Sequence, residues 1–286
     1  MILVTGATGT VGSEVVRQLA DKGEPSRAFV RSPATARHRL NEDVELAIGE
    51  LDRTETITAA LRGVDRVFLL TRQDHRQVEW EERVIDAATD AQVARVVKLS
   101  VFRADRQSPL QIARQHRQVE EKLEQSNLEV TIIRPVFFMQ NLLTMMRPGV
   151  LATAAQDGRV AMVDARDVAA VAVTALTGNG HAGKTYTLTG PEALTFDDVA
   201  TALSQQLGTT IPHMRVHPDA VRDALQAAGV ATWFAHDMAT LHGMLAAGYE
   251  DVTTPDVLAV TGRPPRTLEQ FAADVAGSLA AKTEQR

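Results

Sequence analysis

The chain has 286 residues, a formal net charge of −6, 44% apolar and 4% aromatic residues, and no cysteine. That length supports one sizeable core, or a core with a smaller lobe, and the acidic balance gives no general pull toward nucleic acid or anionic membrane. The lack of cysteine removes disulfides, thiolate nucleophiles and Cys-ligated metal sites, and fits a reducing cytoplasm; the apolar runs are too short for a membrane span or a secretory leader.

The first half alternates short Val/Leu/Ile-rich runs with helical segments. Strands are expected at 2–5, 26–31, 44–48, 66–70, 95–100 and 129–134, and helices at 10–21, 54–61, 77–91 and 109–125. The runs alternate poorly between apolar and polar, as strands buried on both faces do. Strand–helix alternation at this spacing predicts an α/β fold, a Rossmann-like doubly wound parallel sheet. After about Pro148 the rhythm changes. Strands are expected at 160–163 and 185–189, and helices at 167–176, 196–207, 220–228, 232–247 and 268–279. The expected organisation is a dinucleotide-binding domain over 1–150 and a smaller, mostly helical lobe over 151–286, with 160–190 returning to the sheet.

The first predicted strand runs into Gly6-Ala7-Thr8-Gly9-Thr10-Val11-Gly12 and then an amphipathic helix. Glycine tolerates positive φ and admits a ligand close to the backbone. A strand, a glycine turn and a helix start together aim free N–H groups at an anion. The first glycine permits the turn, the second makes room for a pyrophosphate, and the third lets helix and strand pack. Gly6, Thr8, Gly9, Thr10, Val11 and Gly12 are therefore read as the cofactor cradle. No Lys-Ser/Thr pair follows the last glycine, so this is not a phosphoryl-transfer loop. The spacing of MILVTGATGTVG resembles the atypical branch of the short-chain dehydrogenase/reductase superfamily.

An NAD-binding unit usually ends its second strand with an acid that bonds the ribose hydroxyls. Here the strand ends Ala28-Phe29-Val30-Arg31. A guanidinium suits a 2′-phosphate, so NADP(H) is favoured over NAD(H), which is not excluded. Arg37 is a second candidate for that phosphate. Other strand ends should line the same crevice: Leu51 and Asp52 after the third strand, Leu70 and Thr71 after the fourth, Ser100 after the fifth. The loop from Thr71 to Arg76, with His75, is read as a crevice edge.

The usual Tyr-x-x-x-Lys dyad of the superfamily is missing, because neither Tyr186 nor Tyr249 lies on the helix after the fifth strand or has a lysine four residues on. That helix carries His116-x-x-x-Glu120. The next strand and turn read TIIRPVFFMQN, and later come DARDVA, TYTLTGPEALTFDDVA and TGRPPRTLEQF. Together these resemble the NmrA-like family, which includes NAD(P)H:quinone reductase-like proteins as well as redox-sensing regulators without turnover. The resemblance covers nearly the whole chain and implies a nicotinamide cofactor. It places His116 about where the superfamily lysine would be, Pro135 and Val136 beside the nicotinamide, and Phe137, Phe138 and Asn141 toward substrate.

The ordinary pKa of histidine would let His116 donate a proton near neutrality, with Ser100 orienting a substrate oxygen. The plainer alternative is a helix histidine paired with Glu120. A metal at that pair lacks a third ligand. Asp164 and Asp167 read as helix-start charges, His213 and His217 as incidental residues around a short strand near Pro212 and Pro218, and Trp233, Phe234 and His236 as substrate roof or core. The leading expectation is an NAD(P)H-dependent reductase of a quinone or a conjugated aromatic or polyketide-type ketone, in the cytoplasm, with no nucleic-acid or membrane partner. The alternatives are a dinucleotide-sensing regulator without turnover, and an isomerase or dehydratase that uses its cofactor without net oxidation.

Overall fold

The structure, a computed structural model, describes residues 1–147 and 149–284; Pro148, where the sequence rhythm changes, lies outside the described residues. In chain order the elements are β1 (Ile2–Val4), α1 (Thr10–Asp21), β2 (Ser26–Val30), α2 (Pro33–Arg37), β3 (Glu45–Ile48), α3 (Thr54–Ala60), β4 (Arg66–Leu69), α4 (Gln77–Asp90), β5 (Arg95–Leu99), α5 (Gln111–Glu124) and β6 (Glu129–Pro135). Then follow α6 (Leu142–Met145), β7 (Met146–Arg147), β8 (Val150–Thr153), α7 (Ala165–Thr177), β9 (Lys184–Leu188), α8 (Phe196–Leu207), β10 (His213–Arg215), α9 (Pro218–Ala227), α10 (Thr232–Ala246), α11 (Asp256–Thr261) and α12 (Leu268–Glu284).

Among the described residues one sheet has seven strands in the order β3-β2-β1-β4-β5-β6-β9. Strands β1 to β6 pair in parallel, with Ile2 opposite both Ser26 and Arg66. Helices cover both faces, so Ile2, Leu3, Val4, Val67, Phe68 and Val97 are all buried. This is the physical reason for the poorly alternating runs: a strand buried on both faces has no solvent side to mark. The chain crosses from β3 back to β4 beside β1, so the order reverses between β1 and β4. In open α/β sheets that reversal opens a crevice at the carboxyl ends of the strands.

The chain divides into two compact units. The first contains Met1–Ser108, Ala113–Pro135 and Ala165–Thr187. In it α7 packs on α1, and Gln18 Nε2 donates to the carbonyl of Arg166 at 2.9 Å. The second contains Pro109–Ile112, Val136–Asp164 and the chain from Leu188 onward. It has its own apolar core, including Phe137, Leu142, Leu151, Phe196, Leu203 and Phe271.

The strand expected at 160–163 does not form. Val160 and Val163 make isolated bridges to Leu194 and Phe138 instead. Gly190 comes so close that a Cβ on it would lie 2.2 Å from the Met162 carbonyl oxygen. The Ala161 N–H meanwhile donates to the carbonyl of Glu250 at 3.2 Å, so the segment's bonds are scattered rather than laddered. The elements with no counterpart in the sequence reading are short: α2, α6, α11, β7 and β8, whereas β10 forms at the short strand read near Pro212. Segments of two to six residues carry too little periodicity to read.

His213 is not incidental. Its Nδ1 lies 3.0 Å from Asp197 Oδ1 and its Nε2 2.8 Å from Thr153 Oγ1, which ties β10 to α8 and β8. The order Thr–His–Asp resembles a hydrolytic triad, but Thr153 is fully buried, so the set is a structural staple.

His242 is also buried, and its Nδ1 accepts the Ala154 N–H at 3.1 Å. Burial pushes its pKa down from the ordinary histidine value to about 4. The unfolded chain therefore takes up this proton first, and stability falls as pH drops from the unfolded value toward the folded one, by at most about 1.4 kcal/mol per pH unit. Urea unfolding should give a lower midpoint at pH 5 than at pH 7, and His242→Gln should make that decline shallower. An unchanged decline would show that His242 does not stay neutral.

Candidate active site

The turn from β1 into α1 is held by backbone packed on backbone. Gly6 has φ +59°, and a Cβ on it would lie 2.7 Å from the Leu70 carbonyl oxygen. A Cβ on Gly12 would lie 2.1 Å from the carbonyl oxygen of Gly6. Any side chain at either position would push the helix or β4 away. Gly9 differs: a Cβ there would meet only Gly6 O, at 3.2 Å, and otherwise open space. Protein packing therefore leaves room over Gly9, as a ligand lying against the backbone requires. Helix α1 begins after Gly9 with no side-chain cap and no acid in its first turn. Its free N–H groups and positive dipole end suit an anion. Thr8 and Thr10 are on the surface of the turn, whereas Val11 and Gly12 turn inward. These features fit the pyrophosphate of a dinucleotide.

Thr5 locks β1 to β4 at the crevice. Its N–H donates to Phe68 O at 3.1 Å, its hydroxyl donates to Leu70 O at 2.8 Å, and that hydroxyl accepts the Leu70 N–H at 2.9 Å.

At the end of β2, Arg31 is exposed and forms no ion pair with a carboxylate among the described residues. Ser32 caps α2, accepting the Thr35 N–H at 3.4 Å. Arg37, the second candidate for the 2′-phosphate, is already engaged through Nη1. Its Nη1 donates to the carbonyls of Glu42 at 2.5 Å and Val44 at 3.3 Å, closing the loop after α2. Arg39 takes a position no spacing rule pointed to: its Nη1 donates to the Thr8 carbonyl at 3.0 Å, on the glycine turn itself. Leu51 is half-buried, and Asp52 accepts from Trp80 Nε1 at 2.8 Å and pairs with Arg76. The Trp80 hydrogen bond, then the nearby guanidinium of Arg76, hold the Asp52 carboxyl below its usual range.

Behind the end of β4 lies a buried polar cluster that sequence reasoning missed apart from His116 and Thr71. Lys98 on β5 and Glu81 on α4 are both 0% exposed and form an ion pair at 2.8 Å. The Lys98 ammonium also donates to the Leu99 carbonyl and lies 3.1 Å from His116 Nδ1. An ammonium only donates, so Nδ1 accepts and the imidazole proton sits on Nε2. Thr71 donates its hydroxyl proton to Glu81 Oε1 at 2.7 Å. Burial, then the positive charge of Lys98, push the His116 pKa well below its ordinary value.

His116 does not pair with Glu120. Glu120 is fully buried and gathers Ser100 Oγ at 2.6 Å, Arg134 in a two-pronged contact at 2.9 and 2.5 Å, and Arg117 at 3.2 Å. Ser100 therefore spends its proton on Glu120 and offers only lone pairs elsewhere. The Arg134 of TIIRP fastens β6 to α5 through this carboxylate. Pro135 accepts the Phe102 N–H at 3.0 Å.

In the second unit the Val136 N–H donates to Leu188 O at 3.0 Å, and the Phe137 N–H to Glu250 Oε2 at 2.8 Å. Phe137 packs edge-on against Phe196 at 6.3 Å and belongs to that unit's core. Phe138, Asn141 and Trp233 are half-buried, and Trp233 lies edge-on to Phe234 at 5.5 Å.

Residues 1–272 match the NmrA-like family. The chain belongs to that family. It is 38% identical to the NAD(P)H azoreductase of Xenophilus azovorans over 95% of this chain and 96% of that protein. It is also 38% identical to the (4-alkanoyl-5-oxo-2,5-dihydrofuran-3-yl)methyl phosphate reductase of Streptomyces griseus, over 98% of this chain and 99% of that protein. Among solved structures it is similar to the NADPH complex of an Escherichia coli NADPH-dependent quinone oxidoreductase, with TM-score 0.85 and 28% identity over 96% of this chain and 99% of that one.

For this NmrA-like chain the glycines and strand ends were legible as motifs, whereas Lys98, Glu81 and Gln77 were not. One signal was available: a lysine within the apolar run Arg95-Val-Val-Lys98-Leu must find a buried anion. No group of three or more His, Cys, Asp or Glu among the described residues is arranged to hold a metal ion. His116 is expected to stay neutral from pH 8 to pH 6, which NMR of its imidazole nitrogens checks. A titration centred near 6.5 would contradict the buried Lys98 contact.

Proposed function

We propose that this NmrA-like chain is an NAD(P)H-dependent reductase, with NADP(H) as the favoured cofactor. It reduces a quinone or a conjugated aromatic or polyketide-type ketone. The observation that carries this reading is the open space over Gly9 at an uncapped helix start, beside a second strand that ends in Arg31 rather than an acid. Relatives named as an azoreductase and a furanone phosphate reductase, and the solved quinone oxidoreductase, support turnover over the sensing alternative. All three names denote reduction of small molecules.

The cofactor, when bound, supplies a hydride. The protein's work begins with holding it. Backbone N–H groups of Thr10 through Gly12 and the α1 dipole would neutralise the pyrophosphate, while the Gly9 N–H is already donated to the Gly6 carbonyl at 2.9 Å. Arg31 pairs with the 2′-phosphate, and Arg39, already fixed to the Thr8 carbonyl, adds a second guanidinium there. Leu51 and Asp52 flank the adenine, and Leu70 and Thr71 the next ribose. By the family resemblance Pro135 and Val136 would hold the nicotinamide, and Phe138, Asn141 and Trp233 are the candidates for the acceptor. Phe137 acts through the core of its own unit.

Neither His116 nor Ser100 replaces the missing tyrosine as a strong acid. His116 is neutral and enclosed, and the Ser100 proton is held by Glu120. A conjugated acceptor spreads the negative charge left by hydride addition, so the proton can come from water. This matches the reaction to the site: acceptors whose reduced form needs no strong acid.

Arg31→Asp should weaken NADPH binding at least tenfold, which corresponds to about 1.4 kcal/mol, and leave NADH binding nearly unchanged. Fluorescence titrations with both nucleotides check this, and equal losses would overturn the 2′-phosphate assignment. Incubation with NADPH and a panel of quinones, azo dyes and aromatic ketones should give nicotinamide oxidation. Saturable NADPH binding with no turnover on any member would favour the sensor.

A further inference from the structure

The buried cluster behind β4 has a consequence for how the crevice recognises its ligand. Thr71 is 7% exposed and follows Leu70, whose carbonyl crowds Gly6 at the mouth of the glycine turn. Its hydroxyl has one proton, and that proton is donated inward to Glu81 Oε1 at 2.7 Å. No other group among the described residues bonds the Thr71 oxygen. What Thr71 presents to the crevice is therefore a pair of acceptor lone pairs and no donor.

Glu81 cannot give up that role. It is 0% exposed, its Oε2 is 2.8 Å from the Lys98 ammonium, and Gln77 Nε2 lies 3.4 Å from Oε1. Lys98 is fixed in turn, with its donors directed at Glu81, the Leu99 carbonyl and His116 Nδ1. A buried ion pair is a weak source of stability, because desolvation offsets the attraction. Its value here lies in orientation: it holds a carboxylate, an obligate acceptor, against the inner side of one hydroxyl.

We propose that Glu81, fixed by Lys98, is a positioning residue that sets Thr71 as a pure hydrogen-bond acceptor for a hydroxyl of the ribose on the nicotinamide side of the dinucleotide. The strand order decides which ribose. Arg31 ends β2, the glycine turn follows β1, and Thr71 follows β4, so along β2-β1-β4 Thr71 falls across the pyrophosphate cradle from the 2′-phosphate side. A ribose hydroxyl is a donor and matches the lone pairs. This inference rests on the dinucleotide reading of the cradle and adds to it the residues that govern one ribose contact.

Glu81→Gln reverses the polarity. Lys98 only donates, so it draws the glutamine oxygen to itself, and the glutamine NH2 turns to Thr71. The Thr71 oxygen must then accept inward, and its proton turns to the crevice. Thr71→Val removes the hydroxyl without touching the ion pair, which keeps the test open if Glu81→Gln does not fold.

The test is equilibrium binding to the full chain by calorimetry, with melting temperatures recorded for each variant. Three ligands are compared: NADPH, 2′-phospho-ADP-ribose, which keeps the second ribose, and 2′,5′-ADP, which lacks it. Both variants should weaken the first two ligands by a similar factor, fivefold or more, and leave 2′,5′-ADP within twofold. Equal weakening of all three, or of none, overturns the assignment. If the unaltered protein binds none of them, the dinucleotide reading itself fails, an outcome distinct from the other two.

Discussion

The approach of three backbone segments at the end of β1 is the constraint on which the rest of the structure depends. Gly6 sits against the Leu70 carbonyl, and Gly12 against the carbonyl of Gly6, with no space for a single carbon at either point. This fixes where α1 starts, how it lies on the sheet, and how far β1 stands from β4. The Thr5 hydroxyl, bonded to both the N–H and the carbonyl of Leu70, secures the same junction from the other side. Side chains at this edge of the sheet are placed relative to these contacts: Arg39 through the Thr8 carbonyl, and Thr71 through its chain neighbour Leu70. The open space over Gly9 is meaningful because its neighbours have none.

Around this junction α4 and α5 of the first unit each carry a fully buried carboxylate. Glu81 on α4 faces Lys98, and Glu120 on α5 faces Arg134. Each reaches a hydroxyl at the end of a strand, Thr71 after β4 and Ser100 after β5. The parallel is chemical: a buried carboxylate, neutralised from behind by a cation on the sheet, takes the proton of a hydroxyl at the carboxyl edge. Both hydroxyls are thereby turned into acceptors. A site built this way is poor in proton donors, which agrees with hydride transfer to acceptors that need no strong acid.

Sequence reading recovered the doubly wound sheet because every strand from β1 to β6 is a short apolar run, and located the glycine turn because Gly6, Gly9 and Gly12 stand between a strand and a helix. It placed a strand at 160–163 where the backbone has apolar residues but shares its hydrogen bonds among Leu194, Phe137 and Glu250. Periodicity detects burial, not bonding partners. It paired His116 with Glu120 because i,i+4 residues on a helix face one another. In the fold each turns to a different cation of the sheet, Lys98 or Arg134, and burial outweighs the local pairing. Glu81 and Gln77 were hidden for a similar reason: on an amphipathic helix a polar residue on the inner face looks like a solvent position until its partner on the strand is known.

Trp80 gives this arrangement an optical consequence. Its indole N–H is bonded to Asp52, and the guanidinium groups of Arg72 and Arg76 lie 4.9 and 5.6 Å from its ring centre. The chain has two tryptophans, and the other, Trp233, is in the second unit. Each unit therefore carries its own intrinsic fluorophore, one in a fixed cationic setting after β3 and β4 and the other against Phe234. Replacing either indole with phenylalanine would leave a single-tryptophan protein whose emission follows one unit at a time.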